Sequence, residues 1–240
     1  MANETGKMMV EIWSDVTCPF CYISKRKFEA ALKQFNAISN IEVVWKSFEL
    51  APNLQAVEGK SIYQHLAEHG MPIEQAKSAS LQLAETAKHS GLVFDFDKTI
   101  PANSFKAHCL SHLAKRYGLQ DKAEEILLKA YFTDGENLND IQTLVQLGEK
   151  IGLDAVEVKF ALENEVYKNE VQQDILEASQ SKIKSVPSYV FNNKHVLTGV
   201  QESAVYLEHL EKSFNEWKKD NRSITTEIEE GPTCMPGGLC

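Results

Sequence analysis

The feature that most constrains this chain is a pair of cysteines between a predicted strand and a predicted helix. Cys18 and Cys21 form a C-x-x-C pattern. The run at 8–14 is apolar and β-branched, which predicts a buried strand. Apolar residues then recur at helical spacing across 28–35, and alternating residues at 41–48 predict a second strand. The pair therefore lies where the first strand meets the first helix of a β-α-β unit.

This position suits thiol chemistry. A thiol at a helix N-terminus faces unpaired backbone N–H groups and the positive end of the helix dipole. We expect this environment to lower the pKa of Cys18 and to favour its thiolate, which is the nucleophilic form. Pro19 has the fixed φ that suits a first helical turn. Cys21 is close enough in such a turn to close a disulfide, so one thiol attacks and the other resolves.

The same pattern is also half of many zinc sites. The pattern alone leaves both chemistries open, and the β-α-β setting favours redox. We therefore expect no bound metal and no cofactor. A zinc site shared by four cysteines, Cys18, Cys21, Cys234 and Cys240, in a redox-regulated holdase chaperone, remains the alternative.

Composition excludes some classes of protein. The net charge of −9 and the pI of about 5.3 disfavour nucleic acid as a partner, since that affinity rests on Lys and Arg. The first residues lack an apolar run that could serve as a signal sequence, and no stretch approaches the ~18 apolar residues of a membrane span. Five cysteines are too sparse for a disulfide scaffold. We expect a cytoplasmic protein without a membrane partner.

The middle and the end of the chain differ in pattern. Residues 53–169 carry successive amphipathic stripes separated by Gly, Pro, Asn or Asp, which predicts a run of helices, two of them capped by Asp140 and Asp154. Strand signals return at 188–191 and 195–198, joined by an Asn-Asn turn. A last amphipathic helix follows at 205–217, and the sequence beyond it is polar.

Six motifs together carry a resemblance to a known family. They are WSD at 13–15, CPFCY at 18–22, NSFKAH at 103–108, YFTDG at 131–135, VPSYVF at 186–191 and GVQ at 199–201. In this order and over nearly the whole chain, they resemble the DsbA family, and specifically its FrnE-like branch. The combination is far more specific than C-x-x-C alone.

The resemblance implies an α/β fold, with a thioredoxin-like core interrupted by a large inserted α-helical subdomain. The core would comprise 1–52 and 170–221, the insertion 53–169, and a flexible tail with a cysteine pair 222–240. It also implies a protein disulfide oxidoreductase or isomerase. Its partners would be protein dithiols and disulfides, with glutathione or a thioredoxin-type reductant as candidate electron donors.

The resemblance also implies roles for particular residues. Pro187 would be the cis proline of such folds, and the backbone of Val186 before it would pair with a bound peptide. A turn proline is the alternative. Cys234 and Cys240 would form a second redox pair that exchanges with the first, unless they are incidental thiols of the tail. Independently of the resemblance, the position of Asp15 three residues before Cys18 predicts either a buried proton relay or a solvated or capping carboxylate.

The sequence departs from the strongly oxidising members at Phe20, because those proteins have a histidine before the second cysteine. One source of thiolate stabilisation is missing, so we predict a milder oxidant. Glutathione-dependent isomerases and transferases of the kappa type have a similar fold, but they typically have serine at the position of the first cysteine. Cys18 argues against that chemistry, which stays as a further alternative.

Two other signals carry less weight. His65, Glu68 and His69 match a zinc-protease pattern, but Gly70 follows at once and we expect solvated residues at a helix end. Cys109 falls on an apolar helical stripe, which predicts a buried and unreactive thiol.

Overall fold

The structure, a computed structural model, describes residues 6–55 and 59–221 of the chain. A four-stranded mixed sheet of order β2-β1-β3-β4 lies at its centre. Its strands are β1 (Met8–Ser14), β2 (Ile41–Ser47), β3 (Ser188–Phe191) and β4 (His195–Thr198). β2 runs parallel to β1, while β3 is antiparallel to both β1 and β4. The first and last parts of the chain therefore share one sheet.

The described residues also form nine α-helices. They are α1 (Pro19–Gln34), α2 (Ile62–Glu68), α3 (Ile73–Lys88), α4 (Phe105–Arg116), α5 (Gln120–Lys129), α6 (Ile141–Lys150), α7 (Ala155–Glu163), α8 (Lys168–Gln180) and α9 (Ser203–Asp220). A π-helical turn at Ala130–Asp134 extends α5. Asp140 and Asp154 cap α6 and α7 by accepting hydrogen bonds from backbone N–H groups, as the sequence predicts.

Strand alternation separates the two faces of β1. Alternate residues of β1 pack with aromatic and aliphatic side chains of β3, α1 and α9; this cluster includes Met8, Val10, Ile12, Phe28, Ala31, Tyr189, Phe191, Tyr206 and Leu210. Trp13 points to the other face, where it packs with Ala178 of α8 and Val190 of β3. The sheet is thus buried on both sides near the end of β1.

The helices between β2 and α8 are continuous with the core. Their main apolar cluster contains side chains from α3 to α8 and also takes in Val16, Tyr22 and Ile23 around the start of α1. Gln120 of α5 pairs with the edge of β2, because its side chain accepts from Trp45 N at 3.1 Å and donates to Trp45 O at 2.9 Å. The division at residues 53 and 169 stays a proposal.

The structure confirms the sequence prediction of a mixed α/β fold with a long helical segment between its strands. β1, β3 and β4 have the predicted bounds, and β2 ends at Ser47, one residue before the predicted end. Asn192 and Asn193 both have positive φ, 50° and 54°, in the turn between β3 and β4. Within the described residues, no helix is both long and apolar enough to cross a membrane.

Candidate active site

Cys18 and Cys21 lie at the N-terminus of α1, directly beyond β1. Cys18 is the residue that precedes the helix, with φ −93° and ψ 111°, and Pro19 is the first helical residue. The Cys18 N–H donates to Asp15 O at 3.0 Å, and the Cys21 N–H donates to Cys18 O at 3.0 Å. The predicted position of the pair at the strand–helix junction is confirmed, and both thiols are free.

The environment of Cys18 favours its thiolate. The hydrogen bond from the Cys21 thiol is the largest cause that lowers the pKa of Cys18, and the backbone N–H groups of Cys21 and Phe20 also lower it. Burial and the negative charge of Asp15 work in the opposite direction. The direction is the predicted one, but the neighbouring thiol contributes more than the helix backbone. Cys18 is only 3% exposed, so little of its side chain is open to a substrate in this conformation.

Cys21 has the opposite character. It is 1% exposed, and burial raises its pKa well above the ordinary thiol value; the adjacent Cys18 raises it further. The Ser14 hydroxyl and the Asp15 backbone N–H partly offset this by donating toward its sulfur. The two thiols therefore differ in acidity, with Cys18 as the one that ionises first.

The structure brings Val186 and Pro187 beside this pair. The Val186–Pro187 peptide bond is cis. The Cys18 thiol donates to the carbonyl oxygen of Val186, with a sulfur–oxygen distance of 3.8 Å. Phe20 is 49% exposed on the same helical turn. The Val186 carbonyl and the cis proline that follows it therefore lie beside the Cys18 thiol.

Asp15 is buried, and its carboxylate ties two chain segments together. Oδ1 accepts from the backbone N–H and the hydroxyl of Thr17, both at 2.9 Å. Oδ2 accepts from the N–H of Leu50 at 2.7 Å, which fixes the segment after β2 against the start of α1. Of the two predicted alternatives, burial is the observed one, and the carboxylate also caps the local turn. A proton-relay role stays a prediction.

Sequence reasoning missed a cluster of buried hydroxyl groups behind Cys21. Ser24 Oγ lies 2.8 Å from Tyr189 OH and 2.6 Å from Tyr206 OH, and all three residues are fully buried. Ser24 is three residues after Cys21, so its position on the same face of α1 was legible from helical spacing. Its partners come from β3 and α9, which only the fold brings together.

The remaining sequence candidates lie elsewhere. Cys109 is buried in α4, as its place on an apolar stripe predicts, and burial raises the pKa of its thiol to about 12. Its lack of reactivity stays a prediction. His65 and Glu68 lie at the end of α2 with His69 as its capping residue. Among the residues that the structure describes, no group of three or more His, Cys, Asp or Glu side chains could hold a metal ion. Cys234 and Cys240 lie outside the described residues, and so does the four-cysteine zinc site that needs them.

The whole chain can be compared with known families. The sequence model of the DSBA-like thioredoxin domain matches residues 9–211, which is most of the chain. The chain belongs to this family. This DsbA-like chain is similar to the structure of a probable DsbA oxidoreductase from Streptomyces coelicolor, with a TM-score of 0.80 and 32% sequence identity. The match covers 95% of this chain and 94% of the Streptomyces chain.

More distant relatives agree on the fold. An uncharacterized protein of Bacillus subtilis (strain 168), YwbO, is 26% identical over 215 residues, 88% of this chain and 97% of that protein. The cytosolic disulfide reductase DsbM of Pseudomonas aeruginosa has a TM-score of 0.56 at 14% identity, covering 88% of this chain and 98% of that one. The predicted thioredoxin-like fold with a helical insertion is confirmed for this DsbA-like chain.

Proposed function

We propose that this protein is a thiol–disulfide oxidoreductase in which Cys18 attacks and Cys21 resolves. The observation that carries the proposal is the position of two neighbouring free thiols at the N-terminus of α1, where the surroundings lower the pKa of Cys18 and raise that of Cys21. A nucleophile that ionises readily beside a thiol that stays protonated is the arrangement that two-step exchange requires. Membership of the DSBA-like thioredoxin domain family supports the same chemistry.

The reaction follows from these positions. The Cys18 thiolate attacks one sulfur of a substrate disulfide, which forms a mixed disulfide and releases the other sulfur as a thiolate. Cys21 then loses its proton and attacks Cys18, which forms the Cys18–Cys21 disulfide and releases the second substrate thiolate. Two electrons pass from the protein pair to the substrate, and both released thiolates take up protons. Oxidation of a substrate dithiol is the same sequence reversed.

The surroundings of Cys18 support protein or small-thiol substrates. The carbonyl of Val186 can accept a hydrogen bond from the backbone of a bound peptide, and the exposed ring of Phe20 offers it an apolar contact. The structure of DsbM from Pseudomonas aeruginosa was also obtained with GSH. We therefore include glutathione among the candidate partners, together with protein dithiols and a thioredoxin-type reductant.

Insulin reduction by dithiothreitol tests this function. We expect the protein to accelerate insulin reduction, and we expect Cys18→Ala to abolish the acceleration. Cys109→Ala is the matched control, because it removes a buried thiol away from the helix N-terminus. Equal activity in the Cys18→Ala and wild-type proteins would contradict the proposal.

We further propose that Cys234 and Cys240 exchange with the active pair. The support is their spacing, with Pro236, Gly237 and Gly238 between them in the sequence. A variant with both tail cysteines changed to serine should turn over more slowly and should shift the redox behaviour of the Cys18–Cys21 pair. Unchanged values would end the relay proposal.

We also propose a cytoplasmic location and a place in the FrnE-like branch, on the composition and on the six motifs that carry the resemblance.

A further inference from the structure

The geometry of β1 and α1 places Ser14 beneath Cys21. Met8, Val10 and Ile12 alternate along β1 toward the face that α1 covers, and Ser14 is the next residue in that alternation. On α1, the buried side chains of Cys21, Ser24, Phe28 and Ala31 form one stripe at helical spacing toward the sheet. The end of the strand face therefore meets the start of the helix stripe, at a serine and a cysteine.

The Ser14 hydroxyl is buried and, although it acts on the Cys21 thiol, it makes no hydrogen bond of good geometry. Its oxygen is one of three buried side-chain oxygens in the described residues without a hydrogen bond of good geometry. A buried hydroxyl without a partner carries a desolvation cost that folded proteins usually avoid. The carbonyl of the same residue is satisfied, because it accepts from the Phe48 N–H at 3.0 Å. The backbone of Ser14 therefore takes part in the hydrogen bonds of the fold, and its side-chain hydroxyl does not.

The resolving step needs a donor at this place. Cys21 must become an anion to attack, and an anion that is 1% exposed receives little help from water. Among the described residues, Cys18 before α1, Tyr189 of β3 and Tyr206 of α9 act on it electrostatically. None of these is a cation. The groups that lower the pKa of Cys21 are the Ser14 hydroxyl and the Asp15 backbone N–H.

We propose that the Ser14 hydroxyl, together with the Asp15 backbone N–H, stabilises the Cys21 thiolate by hydrogen bonding during resolution of the mixed disulfide. This inference rests on the proposed function. When Cys21 gives its proton to water, the Ser14 O–H donates to the new anion. The Cys21 sulfur then attacks Cys18, the new disulfide forms, the bond between Cys18 and the substrate sulfur breaks, and the leaving thiolate takes up a proton from water. Ser14 neither gains nor loses a proton.

Reaction of the reduced full-length protein with dithiobis(nitrobenzoic acid) separates the two steps when Cys234 and Cys240 are changed to serine in every variant, so that the tail releases no coloured thiol. Attack by Cys18 releases the first coloured thiol, and attack by Cys21 on the mixed disulfide releases the second. For Ser14→Ala we expect an unchanged first phase and a second phase slowed about tenfold at neutral pH, since one hydrogen bond to a buried anion is lost. The pH midpoint of the second phase should rise by about one unit, and Ser14→Thr should restore both.

Ser213→Ala is the matched control. Ser213 Oγ of α9 is also fully buried and also has no partner, so the substitution removes the same group from an equivalent environment. It should leave both phases unchanged. A Ser14→Ala second phase with the wild-type rate and midpoint overturns the proposal, and so does an equal slowing of both phases, which indicates a structural role.

The same experiment distinguishes this inference from the proposed function. In Cys18→Ala the first phase should disappear from the active pair. If that phase persists unchanged there, Cys18 is not the nucleophile and the proposed function fails, whatever Ser14 does. If it disappears while Ser14→Ala matches the wild type, only the role of Ser14 fails.

Discussion

His112 Nε2 of α4 lies 3.0 Å from Asp174 Oδ2 of α8, and both side chains are buried. The same carboxylate accepts from the Ser47 N–H of β2 at 2.9 Å, and its other oxygen lies 3.0 Å from Lys46 Nζ. The Asp174 carbonyl accepts from Trp13 Nε1 at 3.0 Å. One residue therefore joins the helical segment, α8 and the two parallel strands next to the candidate active site.

Asp174→Asn should destabilise the protein by about 3 kcal/mol at neutral pH, because Lys46 and His112 lose the buried carboxylate that contacts both of them. Burial works to raise the pKa of Asp174, but the hydrogen bonds from His112 and Ser47 outweigh it, so the pKa is lower than the ordinary 3.8. The stabilisation is present above pH 3.8 and is lost as pH falls through the folded-state pKa. Urea unfolding at pH 7 and in acid should show the wild type and the variant converging in acid.

Glu177→Gln is the control for this measurement. Glu177 contacts the same lysine at 2.7 Å, but its side chain is partly exposed, so its loss should change stability by less than about 1 kcal/mol. Equal losses in the two variants would mean that Asp174 contributes no more than an exposed ion pair.

Glu124→Gln should stabilise the protein above neutral pH. Glu124 is 2% exposed, one of its oxygens has no partner, and burial raises its pKa from 4.5 to about 7. A carboxyl with a raised folded-state pKa costs stability as pH rises from 4.5 to 7, and the full cost, about 3 kcal/mol, applies above that range. Chemical unfolding from pH 4 to pH 8 should show no gain at pH 4 and a gain near this size at pH 8.

Glu125→Gln, one residue further along α5, should change the stability of the protein in the opposite direction. Burial works to raise the pKa of Glu125, but its contacts with Arg26 and Lys25 outweigh that and lower the pKa. This substitution should therefore destabilise the protein at neutral pH. A gain in both variants would show that removal of any α5 carboxylate is favourable.

The sequence could predict those parts of the molecule that depend on local patterns. The strands could be predicted from their runs of apolar and β-branched residues. The position of the cysteine pair could be predicted because two cysteines and a proline directly follow the first of these runs. The burial of Cys109 followed from its place on an apolar stripe. Local patterning also indicated the caps at Asp140 and Asp154.

Contacts between distant segments were not legible in this way. Asp174 and His112 are 62 positions apart, and neither lies in a pattern that names its partner. His108 and His112 of α4 are likewise buried and hydrogen-bonded to the end of β2 and the segment that follows it, which their spacing along the helix does not reveal. The Ser24 cluster and the unpartnered hydroxyl of Ser14 also depend on which strand lies under α1.

Alkylation should distinguish the three cysteines that the structure describes. At pH 7, iodoacetamide should modify Cys18 first, because its pKa is lowered, while the pKa of Cys109 is raised to about 12 and that of Cys21 is also raised. Peptide mapping by mass spectrometry over time gives the order directly. The rate at Cys18 should fall as the pH is lowered below its pKa. A faster rate at Cys109 than at Cys18 would contradict the assignment of the nucleophile.

Phe20→His should make the protein a stronger oxidant. Residue 20 lies between the two cysteines and is 49% exposed, so an imidazolium fits there without displacing the core. A cation beside the Cys18 thiolate stabilises the reduced form, and a tenfold change in the equilibrium with glutathione corresponds to a potential about 30 mV more positive. The shift should be larger at pH 6 than at pH 8, where the imidazole is neutral. Phe20→Gln is the uncharged control; if it raises the potential as much as histidine does, loss of the ring rather than the added charge sets the effect.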